Sequence, residues 1–249
     1  MTKITQGCGA APAASGITVR NAAHTIAHTT ARTIVLIAAL AASLALSACG
    51  SSPPVPDWKM NAHSSLERAE SAYLSGKDGV AESEFARARS QVGSTGSIEL
   101  AIRVELARCA TRVASLVLEE CPGFHKYAHD ASGADIEYAA YLAGTLPPSE
   151  AGRLPEQHRA VAGAASDVAA GAAVVAIKDP LSRLVAAGAV FRANRATPQV
   201  IAAAVDTASA QGWRRPLLAW LNVQALRAEK AGDTAEAARL RRRIALASE

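Results

Sequence analysis

Aromatic residues are scarce in this 249-residue chain, which has three Trp, four Tyr and three Phe although half of its residues are apolar. A core with so few large rings has to be built from Ala, Leu and Val, and that composition favours closely packed helices. No segment of useful length alternates apolar and polar residues at period two, so β-sheet is not expected. Reaction signatures are missing as well: there is no Gly-x-Ser-x-Gly elbow, no His-Glu-x-x-His and no glycine-rich phosphate loop. The chain reads as non-catalytic and without a cofactor. Positions 1–48 contain no acidic residue and carry only Lys3, Arg20 and Arg32. Without that segment the chain's 26 basic residues fall to 23, against 22 acidic, so its basic character belongs largely to the N-terminal end. Nucleic acid is therefore not an expected partner.

What the N-terminal end does hold is 16 uncharged, mostly apolar residues between Arg32 and Cys49. That is shorter than the roughly 20 residues a membrane-spanning helix requires. The run closes on Leu46-Ser47-Ala48-Cys49: a large aliphatic residue, two small ones, then cysteine. This resembles the lipobox of bacterial lipoprotein signals. The resemblance implies a cleaved signal peptide over 1–48, diacylation of the Cys49 thiol and, with Gly50 next in line rather than Asp, placement in the outer membrane facing the periplasm. The stretch ahead of the apolar run is longer than the usual basic region of such signals, so translation is expected to start downstream of Met1, for example at Val19. Residues 49–57 then form a tether, because Gly-Ser-Ser-Pro-Pro-Val-Pro-Asp offers almost nothing to pack; at about 3 Å per residue it reaches about 25 Å.

In an exported chain the remaining pair, Cys109 and Cys121, is expected to form a disulfide, the alternative being two free buried thiols. An unbroken helix between them would hold the two about 18 Å apart, whereas a disulfide needs α-carbons about 6 Å apart. The helix must therefore stop near Ser115 and the chain fold back.

Helix punctuation recurs over 58–249, the expected all-α domain. Asp57 and Asp78 are candidate caps for helices over 58–75 and 79–92, and Ser97 for a third in which Ile98, Ile102, Leu106, Cys109 and Val113 share a face. A short helix is expected over 134–143. Pro155, Pro180, Pro198 and Pro216 suit first turns of helices over 155–177, 180–194, 198–211 and 215–231, and Asp233 to Glu236 has capping-box spacing for the last.

Two stretches match at an offset of 156 residues: Ala69, Ala72, Gly76 and Ala81 against Ala225, Ala228, Gly232 and Ala237. Small residues let two antiparallel helices approach, and Gly ends the first with a left-handed turn. With Phe85 and Ala88 continuing the first copy, this resembles the tetratricopeptide (TPR) pattern. Arg241 stands where the second copy would place its aromatic residue, and residues 93–217 keep no period of 34, so the resemblance implies antiparallel hairpins in a short, irregular solenoid. The chain as a whole is similar to proteobacterial outer-membrane lipoproteins with such hairpins. In TPR proteins the first helix of each hairpin lines a peptide groove. The matching positions here are His63, Glu67 and Glu70, then Ala219, Val223 and Leu226, which implies an envelope protein as partner.

Three other features could carry chemistry. Cys121, His125 and His129 have the spacing of a zinc-binding helix face with Asp130 beside them, but Pro122 and Gly123 break that helix and a disulfide consumes the thiol, so no metal is expected. Glu119 and Glu120 are adjacent and so point apart. Arg239, Arg241, Arg242 and Arg243 with Lys230 could face anionic lipid or cell-wall polymer, though such runs usually solvate a helix. The alternatives kept open are an envelope enzyme or accessory factor acting on cell-wall polymer, and a metal-binding periplasmic protein.

Overall fold

The computed structural model describes residues 54–249; the expected signal peptide, the expected lipidation site Cys49 and most of the expected tether lie outside them. Eleven α-helices and two short 3-10 turns make up the described residues, among which there is no strand. None of these helices is long and apolar enough to cross a membrane.

The first hairpin is α1, Asp57–Leu74, against α2, Asp78–Gly93. Its turn closes by two bonds, from the Lys77 amide to the Ala72 carbonyl at 2.8 Å and from the Gly76 amide to the Tyr73 carbonyl at 3.0 Å, with Gly76 at φ +82°. The last hairpin, α10 (Arg214–Lys230) and α11 (Thr234–Ser248), repeats this turn. Asp233 bonds to Ala228 at 2.9 Å and Gly232 to Glu229 at 3.0 Å, with Gly232 at φ +73°. Only glycine enters that conformation without steric cost. The matched alanines are all buried, as expected where two helices approach on small side chains.

Between the hairpins, α3 (Ile98–Ala114) is the central strut, packed against α2, α5 (Gly133–Leu142) and α8 (Pro180–Arg192). Ile102, Leu106, Cys109 and Val113 are buried as the spacing predicts, while Ile98 is exposed at the open first turn. The helix ends at Ala114. Val117 bonds back to Arg112 at 3.0 Å, Leu116 takes φ +57°, and the return places Cys121 with its Cα 5.7 Å from that of Cys109 in a disulfide. Replacing both cysteines by serine (C109S/C121S) is expected to lower stability by about 2–3 kcal/mol, the entropy of a 12-residue closure, with the urea midpoint as the measurement. α9 (Pro198–Gln211) then packs on α8 and α10.

Three expectations on helix ends are corrected. The helix expected over 155–177 is two: α6, Glu156–Ala162, and α7, Asp167–Ala176. Ser166 accepts from the Ala169 amide at 3.2 Å and so caps a new start, and Arg195 takes the freed Ala164 carbonyl at 2.8 Å. Asp57 and Asp78 are the first helical residues rather than caps, preceded by Pro56 and Lys77. Pro155 precedes α6 instead of opening it, whereas Pro180 and Pro198 do open α8 and α9 behind the caps Asp179 and Thr197.

α10 also touches the first hairpin. Arg215 donates from Nε to the Tyr73 carbonyl at 2.8 Å, lies 4.3 Å from the Tyr73 ring centroid and pairs with Asp78. In a strict solenoid each repeat meets only its neighbours; here the first and last hairpins are in contact.

Candidate functional site

Trp220 fixes the position of the candidate groove. It is fully buried in α10, and its indole Nε1 donates to the Ala114 carbonyl at 3.1 Å, one of the acceptors that the end of α3 leaves free. Phe191 at the end of α8 meets the indole edge-on, ring centroids 5.6 Å apart. With α10 held this way, Val223 and Leu226 project over the ends of α8 and α9 and, with Phe191, Ala196 and Ile201, line an open cavity of about 710 Å³. Leu226 is 62% exposed and adds to the apolar surface of this concave face.

Polar groups stand at the rim of the groove. Asn194 turns the chain out of α8 at φ +59°, a conformation that Asn tolerates better than most residues. Arg227 and Lys230 form no ion pair among the described residues, while Glu229 is taken by Arg241. The terminal arginine run is thus partly spent within its hairpin, since Arg239 also pairs with Glu236 at 2.6 Å.

The two sets of residues expected to form a partner groove separate. Val223 and Leu226 line the cavity; Ala219 is half-buried and does not line it. None of the α1 residues joins them. His63 and Glu67 face solvent, 3.3 Å apart. Glu70 is half-buried, and its carboxyl is raised to about 7 by burial and by the carboxylates of Glu67 and Asp179. Its charge reaches the Tyr138 phenol, which burial already pushes up. Tyr138 belongs to a second cluster, in which Tyr141 Oη lies 3.3 Å from His158 Nδ1. Burial pushes His158 down to about 4, so its imidazole is neutral near pH 7. A neutral imidazole against an un-ionised phenol makes a stable internal contact. Phe191, Asn194, Ala196 and Ile201 were not anticipated as site residues; scarce Phe was the only available signal.

The remaining candidates are dispersed. Cys121 is in the disulfide and precedes the short α4, Pro122–His125, whereas His129 lies in a separate 3-10 turn, so the Cys121, His125 and His129 face does not form. Among the described residues no group of three or more His, Cys, Asp or Glu is arranged to hold a metal. Glu119 pairs with Arg112, and Glu120 lies 3.7 Å from His125.

No family model, curated protein or solved structure matches this chain.

Proposed function

We propose that the chain is a non-catalytic lipoprotein of the bacterial envelope, anchored through Cys49 to the outer membrane, whose TPR-like array of hairpins binds an apolar segment of another envelope protein. The observation that carries this reading is the groove between α8, α9 and α10, where Leu226 stays largely exposed above an apolar floor. Concave apolar surface of this kind is the usual seat of a partner's anchor side chains. The lipobox pattern at 46–49 supports the anchor, and the matched, buried alanines of the first and last hairpins support the repeat.

A photo-crosslinking side chain at position 226, with one at the still more exposed Val168 as control, tests the binding half in intact cells. A discrete adduct is expected from 226 alone, and Val223→Glu in the same chain should reduce its yield at least fivefold while the melting temperature stays put. Equal or no adducts from the two positions would sink the reading. The anchor half is tested separately: incorporation of labelled palmitate is expected in the natural chain and absent from Cys49→Ser.

A further inference from the structure

A second cavity, of about 420 Å³, opens between α3, α5 and α6. Its size lies within the range of small-molecule sites. The floor is apolar, with Ala107 and Tyr138 half-buried and Pro155 exposed, over the buried Leu106 and Leu154. Charges of both signs stand on the rim, and their commitments differ.

Arg153 and Arg103 are already paired. Arg153 donates from Nε to the buried Glu137 at 2.9 Å, and Arg103 reaches Glu99. Arg159 is not paired with any carboxylate among the described residues. Its Nε donates to the Leu154 carbonyl at 2.7 Å, which fixes the plane of the guanidinium and leaves both terminal nitrogens with hydrogens to give. Across the cavity, Asp135 accepts on Oδ2 from the Ser132 amide at 3.0 Å and hydroxyl at 2.6 Å, so that one oxygen is spent while Oδ1 has no hydrogen-bond partner among the described residues. Asp135 and Arg159 form no ion pair with each other. The rim therefore offers one oriented cation and one oriented anion that do not satisfy each other, above an aromatic and aliphatic floor.

We propose that this cavity binds a free α-amino acid with a large apolar side chain, its carboxylate on the terminal nitrogens of Arg159, its ammonium on Asp135 and its side chain against Ala107, Tyr138 and Pro155. A guanidinium meets a carboxylate through two parallel bonds, which sets orientation as well as affinity. The opposite signs on the rim favour a zwitterion over a simple anion or amine, because only the zwitterion engages both rim charges at once. This site is independent of the groove on α10.

The test is calorimetric titration of the full chain with L-phenylalanine, phenylacetate and phenethylamine. Saturable binding of phenylalanine is expected, with each single-charge analogue at least tenfold weaker. Arg159→Gln should weaken phenylalanine at least tenfold and leave phenethylamine unchanged. No saturable binding of phenylalanine would overturn the proposal, as would analogues that bind as tightly as the zwitterion. The analogue comparison uses the unaltered chain, so it decides the matter even if the variant misfolds.

Discussion

Gly188→Ala is expected to lower the stability of the domain by about 3 kcal/mol, more than most single-methyl changes do. Gly188 is where α8 crosses α3. A β-carbon built there would sit 2.8 Å from Val113 Cγ1 and closer still to the Val113 carbonyl oxygen. A flexible side-chain tip could move aside; a carbonyl within a buried helix cannot without shifting the helix. The two helices carry much of the core between them, including Cys109, Val113, Leu184 and Val190, so separating them loosens contacts along their whole length. Gly79→Ala is the control, since that position in the first turn of α2 has nothing within 4 Å. There the same methyl is expected to be neutral or to stabilise by up to about 1 kcal/mol. Thermal unfolding checks both: a fall of about 10 °C for the first and none for the second. Equal melting temperatures for the two variants would refute the tight crossing.

Glu70→Gln is expected to make stability rise more steeply with pH between about 4.5 and 7. The Glu70 carboxyl holds its proton up to about 7 in the folded chain, against 4.5 when unfolded, so its contribution declines as pH rises from 4.5 through 7. His158 works in the opposite sense. Folded, it resists protonation down to about 4, while the unfolded imidazole takes a proton below 6.5, so stability is lost as pH falls from 6.5 to 4. Between pH 4.5 and 6.5 the two slopes oppose each other. Removing Glu70 takes away the slope that opposes His158, whose own span is about 3 kcal/mol because it is almost wholly buried. Glu70 is partly open to water, so its own share is smaller, about 1–2 kcal/mol. Urea midpoints at pH 4, 5.5 and 7.5 measure the effect as the difference between variant and natural chain. Parallel curves would show that Glu70 does not titrate as its surroundings dictate.

The residues that could be read ahead of the structure are those whose constraint is local. Gly76 and Gly232 end helices through their own backbone freedom, and Asp179 and Thr197 cap α8 and α9 from one turn away. Cys109 and Cys121 demanded a fold-back, because no helix of 12 steps can bring them together. The break between α6 and α7 was hidden, since Gly163 to Ser166 lies in a small and apolar stretch and its decisive partner, Arg195, comes about 30 residues later. The groove failed to show for the same reason. Val223 and Leu226 could be placed on a face of α10, but Phe191 and Ile201 reach them only because Trp220 docks that helix on the carbonyl end of α3. Arg215 was a candidate start for α10, and nothing in its own segment announced Tyr73 or Asp78. Long-range partners of this kind are set by packing, which periodicity does not encode.

The Arg215 latch has a mechanical consequence. A pull on the chain ahead of Asp57 enters the domain through α1, and a hairpin tied only to its successor would peel away from that end one helix at a time. Because Arg215 grips both the carbonyl and the ring of Tyr73 and also Asp78, part of the load passes straight into α10 and from there, through Trp220, into the middle of the bundle. The domain is thereby braced against traction at its leading edge, which is where a tether would apply it.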